Sequence, residues 1–309
     1  MNDKPLVSII INNYNYGRFL TEAIDTSLNQ IYPKVEVIVV DDGSTDNSRE
    51  IVSNYESKIV PVFKENGGQA SAFNAGFAAS KGEILCFLDS DDVFLDSKVA
   101  EVVEIFDRIP DIGWCFHTLR LVDKKTGELI GLSIERASRE CDFRLSIKRG
   151  SLPFYPQATS GLCFRRSLLE QILPLPEELG CGDLYLRSAA LAMSKGYFLD
   201  KDLTIQGIHE NNSNTLKEDN KVKQRRAYNI VVLAYFMRLK FPELRKYTNR
   251  VFARGLSAYW ISGGVETEGK KFIDNYLSDV SLQEKLKIGL MAIYQSRPWK
   301  KVELYRMLN

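Results

Sequence analysis

The residues best suited to chemistry are three carboxylates that directly follow a short apolar run. Residues 84–88 read ILCFL, as in a strand buried on both faces, and Asp89, Ser90, Asp91 and Asp92 come next. Negative charges this close repel one another, so they favour either a bound cation or protonation of one carboxylate. Carboxylates on a short loop suit Mg²⁺ or Mn²⁺, ions that commonly bridge substrate phosphates. The pattern therefore predicts a divalent-metal site, and its simplest alternative is a solvated acidic turn.

Alternating strand and helix patterns surround this loop. Strand-like apolar runs at residues 6–11, 35–40, 59–63 and 84–88 alternate with helical spacing at residues 18–30, 47–57, 69–80 and 97–108. This order is typical of an α/β fold in which a mostly parallel sheet is flanked by helices. Ligands bind at the carboxyl ends of such strands, and Asp41 and Asp42 follow the second strand as Asp89 follows the fourth.

The pattern changes after residue 110. We expect further strands at residues 113–121, 159–164 and 198–208, helices at residues 166–172 and 183–195, and a turn between antiparallel partners at residues 123–128. Residues 135–150 have no clear period and are interpreted as a flexible or inserted segment. From about residue 219 only helical spacing occurs, at residues 231–239, 244–259, 270–277 and 282–294. We therefore predict an α/β domain over residues 1–215 and a helical region over residues 216–309.

Composition indicates an ordinary globular protein. Of the 309 residues, 44% are hydrophobic and 26% are charged, and the formal net charge of +1 gives no overall argument for a nucleic-acid partner. The five cysteines lack metal-type spacing, which favours reduced core thiols in a cytoplasmic protein. We expect no signal peptide, and no apolar run reaches the roughly 18–20 residues that a membrane-spanning helix needs.

Four segments, taken in order, resemble the nucleotide-diphospho-sugar domain of family 2 glycosyltransferases. They are VSIIINNYNY at residues 7–16, VIVVDDGSTD at 37–46, NGGQASAFNAG at 66–76 and FLDSDD at 87–92. Weaker similarity extends to about residue 213, and the helical region lies outside it. The resemblance implies a GT-A (Rossmann-like) fold and an inverting transfer of a sugar from a nucleotide-sugar, with Mn²⁺ or Mg²⁺ as cofactor.

The resemblance also implies the partners of the reaction. The donor would be a nucleotide-sugar, UDP-linked in the first instance, and the acceptor a hydroxyl on a glycan or a lipid-linked sugar. Such enzymes act in bacterial-type polysaccharide or glycoconjugate synthesis, so we expect a cytoplasmic protein at the inner face of the membrane and no nucleic-acid partner. Loops such as residues 142–156 would select the sugar and the acceptor.

The resemblance assigns the nucleotide to residues at strand ends. Asp42 would accept a hydrogen bond from uracil between Asn13 and Tyr14, and tyrosine has the flat face that base stacking needs. The candidates for contact with ribose and diphosphate are Asn66, Gly68 and Asn74. The alternatives are an Asx-type turn at Asp42, simple packing of Tyr14, and helix–sheet packing through small residues.

The metal site is assigned to the carboxylate loop and to one histidine. By resemblance, Asp91 is the direct ligand, Asp89 contacts ribose or metal-bound water, and Asp92 orients the site or the sugar. The ion would stabilise the leaving nucleoside diphosphate. His209 begins HENNS, similar to a late H-x-x-N segment of the family, and would complete the metal site or contact the diphosphate. A lone loop histidine is more often exposed, and His117, on an apolar strand, is interpreted as structural.

An inverting transfer needs a general base on the acceptor side. Asp183 is the best candidate, because it begins a predicted helix and precedes LYLR, which matches an L-x-L-R stretch of the family. Two departures weaken the match. Residues 180–182 read Gly-Cys-Gly where the family usually has Glu-Asp, and Phe73 stands where many relatives have Arg or Lys. Alternatively, Asp183 only caps its helix, and Glu177 and Glu178 are minor candidates for the base.

Two other functions remain open at this point. The stretch DSDDV at residues 89–93 also fits the D-x-D-x-V nucleophile motif of haloacid-dehalogenase-type phosphatases, although that family has the motif on its first strand. Phe73 and the missing Glu-Asp pair would also fit a non-catalytic nucleotide-sugar-binding protein.

The tail at residues 282–309 mixes apolar and basic residues at helical spacing. A basic amphipathic helix of this kind either lies on an anionic membrane or packs on a neighbouring helix. The sequence therefore allows peripheral membrane contact through the C-terminal helices.

Overall fold

Residues 4–55, 57–133, 137–153, 158–210, 212, 220–264 and 267–296 are described by the structure, a computed structural model. Their contacts divide into two compact units. The first comprises the described residues up to Asp142 and those between Gln157 and Glu210, and the second comprises those between Phe143 and Pro156 and those from Asn211 onward. The predicted domain boundary after residue 215 lies outside the described residues and stays a prediction.

The first unit contains a ten-stranded sheet. Its strands are β1 (Val7–Asn13), β2 (Val35–Asp42), β3 (Val60–Lys64), β4 (Ile84–Asp89), β5 (Val93–Phe94), β6 (Trp114–Asp123), β7 (Leu129–Leu132), β8 (Arg139–Cys141), β9 (Leu162–Arg165) and β10 (Gly196–Ile208). Its helices are α1 (Gly17–Leu28), α2 (Ser48–Ser53), α3 (Gly68–Ala79), α4 (Lys98–Arg108), α6 (Arg166–Ile172) and α7 (Gly182–Met193). The helices of the second unit are α5 (Arg144–Lys148), α8 (Asn220–Lys240), α9 (Arg245–Ile261), α10 (Thr267–Ser278) and α11 (Leu282–Gln295).

The order of the strands determines where a ligand can bind. It is β3-β2-β1-β4-β9-β6-β10-β5, with β7 paired to β6 and β8 paired to β10. The first four strands are parallel as predicted, whereas β9 is antiparallel to β4 and β6, so the sheet is mixed. The chain runs outward from β1 to β3 and then returns to β4 on the other side of β1. The carboxyl ends of β1 and β4 therefore flank the switch point at which ligands bind in such folds.

The core of the first unit explains why its apolar runs form strands. The two central strands β1 and β4 bury almost all their side chains, because helices cover both faces of the sheet there. Helix α1 buries Leu20, Ala23 and Ile24 at intervals of three or four residues, and α4 does the same with Val99 and Val102. The helical spacing found in the sequence is therefore the spacing of the faces that cover the sheet.

Two segments between α4 and α6 add the strands β7 and β8 to the sheet. The predicted turn at residues 123–128 joins the antiparallel strands β6 and β7, and Asp123 Oδ1 accepts hydrogen bonds from the N–H groups of Lys125 (2.7 Å) and Thr126 (3.0 Å). The segment interpreted as flexible or inserted contains β8, antiparallel to β10, and α5. Elements of three and five residues are too short to produce a visible period, and β8 needs only backbone pairing with β10.

The described residues from 220 onward form helices and no strands, as predicted for the C-terminal region. Helix α8 packs against α9 and α10, and α11 packs against α9. Phe252 of α9 and Tyr276 of α10 stack with their ring centroids 3.9 Å apart. In the part of the chain that the structure describes, none of the helices has the length and apolar character needed to cross a membrane.

Candidate active site

The carboxylate loop after β4 is held by hydrogen bonds from two distant segments. Ser160 Oγ accepts a hydrogen bond from the Asp89 N–H (3.0 Å) and donates one to Asp92 Oδ2 (2.5 Å). The N–H of Gly207 on β10 donates to Asp92 Oδ1 (3.0 Å). Asp92 is only 2% exposed, so both of its carboxylate oxygens are occupied within the protein. These contacts fix the loop, and the predicted role of Asp92 in orienting the site or the sugar stays a prediction.

The electrostatics of the loop indicate a shortage of positive charge. Burial, together with the charges of Asp91 and Asp183, raises the pKa of Asp89 to about 7, although the hydrogen bond from Asn12 lowers it. Burial, followed by repulsion from Asp91 and Asp89, raises the pKa of Asp92 well above its ordinary value. Burial also raises the pKa of Asp91, although its contact with His209 acts in the opposite direction. A divalent cation would relieve this repulsion.

The structure brings His209 to the carboxylate loop. His209 Nε2 lies 3.0 Å from Asp91 Oδ2, and the two side chains are 7% and 14% exposed. The imidazole ring lies against Phe19 of α1, with a centroid distance of 4.7 Å, and against Tyr16 of the loop before α1, with a centroid distance of 5.6 Å. The alternative of an exposed loop histidine therefore does not hold. An imidazole and a carboxylate side by side are suitable ligands for Mn²⁺.

The donor set fits a metal that also binds the substrate. Among the described residues, no group of three or more His, Cys, Asp or Glu side chains has the arrangement of a closed metal site. Asp91 and His209 form a pair, with Asp89 on the same loop. Mg²⁺ and Mn²⁺ are commonly held by one or two carboxylates together with substrate phosphates. The residues present fit such an ion.

Asp42 organises the loop that leads into α3. Its Oδ1 accepts hydrogen bonds from Lys64 Nζ (2.5 Å) and the Gly67 N–H (3.0 Å), and its Oδ2 accepts one from the Gly68 N–H (2.7 Å). The side chain of Asn66 donates to the Asp42 carbonyl oxygen (3.0 Å). A carboxylate has about four acceptor positions, so one remains for a nucleobase N–H. The loop has the left-handed backbone that glycine allows, with φ +80° at Gly68.

The end of β1 carries the other predicted base contacts. Asn13 is 2% exposed, and its Nδ2 donates to Asp41 Oδ1 (3.1 Å) and Ser44 Oγ (3.2 Å). Its Oδ1 is buried with no hydrogen-bond partner in the structure. Tyr14 is 47% exposed, which excludes simple packing and leaves its ring accessible for stacking. Asp41, and not Asp42, makes the turn contact with the Ser44 N–H (3.2 Å).

Asn74 bonds to the backbone of Leu175. Its Nδ2 donates to the carbonyl oxygen of Leu175 (2.8 Å), and its Oδ1 accepts from the Leu175 N–H (2.7 Å). Both ends of the amide therefore anchor the segment before α7, and the expected contact with ribose and diphosphate stays a prediction. Phe73 is fully buried and packs against Phe87, with ring centroids 4.7 Å apart.

Asp183 lies in the first turn of α7. Its Oδ1 accepts hydrogen bonds from the Leu184 N–H (2.7 Å) and the Cys181 thiol (2.9 Å). The charge of Asp183 contributes to the raised pKa of Asp89. One oxygen of Asp183 therefore bonds within the first turn of its own helix, and its role as general base stays a prediction.

Gln69 connects α7 to the carboxylate loop, and the sequence analysis missed it. Its Oε1 accepts from the N–H groups of Gly182 (2.9 Å) and Asp183 (3.4 Å), and its Nε2 donates to Thr159 Oγ1 (3.2 Å). The Thr159 side chain in turn lowers the pKa of Asp89. Two features of the sequence could have indicated these contacts. One is a lone amide side chain in a helix of small residues, and the other is the polar pair Thr159-Ser160 shortly before a strand.

Comparison with known proteins supports the assignment of the chain to a family. The family model of "Glycosyl transferase family 2" matches residues 8–173, more than half of the chain. An uncharacterized glycosyltransferase of Nostoc sp. (strain PCC 7120) is 39% identical over 174 residues, which are 55% of this chain and 53% of that protein. The chain therefore spans about half the length of that relative. Glycosyltransferase GlyG of Streptococcus pneumoniae is 24% identical over 296 residues, which are 94% of this chain and 88% of that protein.

Solved structures share the fold. S. aureus TarS in complex with UDP-GlcNAc has a TM-score of 0.64 and 19% identity, over 97% of this chain and 91% of that chain. Mannosyltransferase PcManGT from Pyrobaculum calidifontis, in complex with GDP-Man and Mn²⁺, has a TM-score of 0.55 and 18% identity, over 99% of this chain and 86% of that chain. These likenesses confirm the GT-A fold. The family match includes three of the four motif segments in full and all but the first residue of the segment at residues 7–16, and it excludes the phosphatase alternative. The chain therefore belongs to glycosyl transferase family 2.

Proposed function

We propose that this protein transfers a sugar from a nucleotide-sugar to an acceptor hydroxyl, with inversion at the sugar carbon and with the help of Mn²⁺ or Mg²⁺. The observation that carries the proposal is the pairing of Asp91 with His209 beside Asp89, at the carboxyl ends of β4 and β10. The acceptor is a glycan or a lipid-linked sugar in polysaccharide or glycoconjugate synthesis. The family match supports the reaction class, and the geometry supports the division of roles among the residues.

The nucleotide is bound at the ends of β1 and β2. The remaining acceptor position of Asp42 takes the imide N–H of the base, and the exposed ring of Tyr14 stacks on the base. The buried Oδ1 of Asn13, which has no partner in the structure, suits a donor group of the nucleotide. Uracil is the proposed base, since a small pyrimidine offers one imide donor. The alternative is guanine, which is the base in the PcManGT complex.

Asp91 and His209 hold the divalent cation, with Asp89 next to them. When bound, the ion supplies charge that stabilises the departing nucleoside diphosphate. The Asp91 carboxylate and the His209 Nε2, which lie 3.0 Å apart, would be the two ligands from the protein. Asp92 and Ser160 keep the loop in place through their hydrogen bond.

Asp183 acts as the general base. It takes the proton of the acceptor hydroxyl as the oxygen attacks the sugar carbon from the side opposite the diphosphate. Its Oδ1 is fixed by Leu184 and Cys181, so the carboxylate is oriented before the acceptor arrives. Gln69 holds the helix that carries Asp183 next to the segment that contacts Asp89.

The proposal is tested by incubating the full chain with a panel of UDP- and GDP-sugars and Mn²⁺, and measuring release of the nucleoside diphosphate with and without glycan acceptors. We expect release with a UDP-sugar, and release with only a GDP-sugar would replace uracil by guanine. Asp183→Asn should keep nucleotide binding and lower release by at least a hundredfold, since general-base catalysis contributes about 10²–10⁴-fold. Binding without release for every donor and acceptor would favour the non-catalytic binding protein.

A further inference from the structure

The second unit carries a large positive charge. Its residues, 143–156 and 211–309, include 22 Lys and Arg but only 9 Asp and Glu, for a formal charge of +13. The residues of the first unit include 19 Lys and Arg and 31 Asp and Glu, for a formal charge of −12. The net charge of +1 for the whole chain therefore conceals two opposite charges. A unit as basic as the second attracts anionic surfaces.

Helix α11 of this unit exposes an apolar stripe, defined by Leu282, Leu286, Leu290, Ile293 and Tyr294. Their exposed fractions are 74%, 63%, 68%, 52% and 50%. The opposite side of α11, with Ile288 and Ala292, is buried against α9. A helix that only packs on its neighbour turns its large apolar residues inward, whereas α11 turns most of them to solvent.

Two exposed lysines flank the α11 stripe. At about 100° per residue, the stripe covers roughly 120° of the helix surface, with Lys287 just beyond one edge and Lys285 beyond the other. At a membrane interface, lysine lays its methylene groups along the apolar region and extends its ammonium to the headgroups. An apolar face with lysines at both edges is the pattern of a helix that lies in the plane of a membrane.

Positive charge is also spread over the rest of the unit. Each of the other helices carries exposed basic residues, among them Arg144 on α5, Arg225 on α8, Arg245 on α9 and Lys270 on α10. Several basic residues near a surface act together on anionic lipid, because each adds its own attraction. A single amphipathic helix would bind weakly, whereas the helix and this charge together provide two signals.

We propose that the helical second unit docks on an anionic membrane surface, with the α11 stripe inserted between headgroups and acyl chains. Charge distinguishes this occupant from a symmetric dimer formed through the same patch. In a symmetric dimer the same patch faces itself, so two units of charge +13 would meet and repel. Docking depends on charge and exposed apolar area in the second unit, and it does not depend on the proposed sugar transfer.

The test is co-sedimentation of the full chain with vesicles of phosphatidylcholine, alone or mixed with phosphatidylglycerol. We expect at least tenfold stronger binding to the mixed vesicles at low salt, weakened at about 0.5 M NaCl by screening. The double variant Leu286→Ser/Leu290→Ser should bind the mixed vesicles about tenfold more weakly. The matched control is Leu129→Ser/Leu132→Ser, which removes two leucines from β7 of the acidic unit, where they are 62% and 39% exposed.

A charge variant separates folding defects from docking. Lys285→Glu/Lys287→Glu leaves the stripe intact and replaces exposed side chains, so its melting temperature should not change while its binding to mixed vesicles falls several-fold. Equal binding to neutral and anionic vesicles would overturn the proposal, and so would full binding by the Leu286→Ser/Leu290→Ser variant. The stripe would instead be assigned to self-association if the unchanged protein is a dimer in sedimentation velocity and binds no vesicles, and if the Leu286→Ser/Leu290→Ser variant loses that dimer.

Discussion

Asp91 and His209 lie 118 positions apart in the chain, and their 3.0 Å contact depends on the sheet that brings β10 next to the loop after β4. Neither residue is distinctive alone, because lone acidic and histidine residues are common on protein surfaces. Their partial burial, at 14% and 7% exposure, is what makes the pair chemically unusual. A divalent cation can take the place of the proton that such a buried carboxylate and imidazole would otherwise share.

The first prediction concerns Asp91. We expect Mn²⁺ and UDP together to raise the melting temperature of the protein more than either alone, because each occupies the site that the other completes. Asp91→Asn should abolish the gain that depends on Mn²⁺, since it removes the charged ligand while keeping the shape. Asp111→Asn is the matched control, because Asp111 pairs with Lys195 at an exposed position. An unchanged Mn²⁺ effect in Asp91→Asn would remove Asp91 from the metal site.

A second prediction concerns pH. The pKa of Asp89 is about 7 in the folded protein and near 3.8 when unfolded, so the folded state binds more protons between about pH 4 and 7. Without metal, the free energy of unfolding should therefore fall as the pH rises through this window. Urea denaturation in EDTA at several pH values measures it, and Asp89→Asn should flatten the slope. A slope that Asp89→Asn leaves unchanged would contradict this assignment.

At the scale of elements, the carboxylate loop that follows β4 is held in place by hydrogen bonds to two other segments. These segments are the 3₁₀ turn at Thr159–Gly161 and the strand β10. A β-carbon added to Gly207 would lie 2.5 Å from the Asp91 carbonyl oxygen and would also collide with the Lys124 side chain. The close approach of β10 to the loop therefore requires glycine. This requirement comes from the tertiary packing, and the short sequence around residue 207 does not reveal it.

The third prediction follows from this contact. Gly207→Ala should push the loop away from β10, lower the affinity for Mn²⁺ by at least tenfold, and destabilise the fold by about 1–3 kcal/mol through overpacking. Isothermal titration with Mn²⁺ and UDP measures the first effect and urea denaturation the second. Gly131→Ala is the control, because a β-carbon there would meet nothing within 4 Å. Wild-type metal affinity in Gly207→Ala would show that the loop tolerates displacement.

The fourth prediction concerns Gln69, whose amide joins α7 to Thr159. Gln69→Ala should lower kcat for sugar transfer more than it weakens UDP binding, because it frees the helix that carries Asp183. Nucleotide binding and turnover are measured on the same variant. Gln171→Ala on α6 is the control, since that exposed side chain bonds only within its own helix, to the Ser167 carbonyl oxygen. Equal loss of binding and turnover would assign Gln69 to the nucleotide pocket.

The sequence predicted the elements with a strong period and missed contacts that depend on tertiary structure. The four parallel strands and the helices between them have continuous apolar runs or clear helical spacing, so their positions followed from pattern alone. The antiparallel insertion of β9 between β4 and β6, and the anchoring of Leu175 by Asn74, join residues far apart in sequence. No local pattern encodes such pairings, which is why Gln69, Ser160 and Gly207 were not anticipated.

At the scale of the whole molecule, the distribution of charge differs from its sum. The sequence analysis used the net charge of +1, which gave no overall argument for a nucleic-acid partner. The division into units assigns +13 to the helices and −12 to the sheet-containing unit. The total could not reveal this, because acidic and basic residues cancel when the chain is counted as one body.

The fifth prediction is chromatographic. Near pH 7.5 and at low salt, we expect the protein to bind both cation-exchange and anion-exchange resins, although its sequence pI is about 7.5. A protein of the same net charge with mixed surface charges would pass through both. The measurement is the fraction retained on each resin and the salt needed for elution. Passage through either resin would mean that the charges of the two units are neutralised within the molecule.

This separation of charge also governs how the protein behaves with itself. At low ionic strength, the basic unit of one molecule attracts the acidic unit of another, and such contacts need not close into a defined oligomer. A solution of the protein should therefore become turbid on dialysis into dilute buffer, and the turbidity should disappear when salt is restored. Moderate salt is the condition for its purification and storage, and turbidity against NaCl concentration would record the transition.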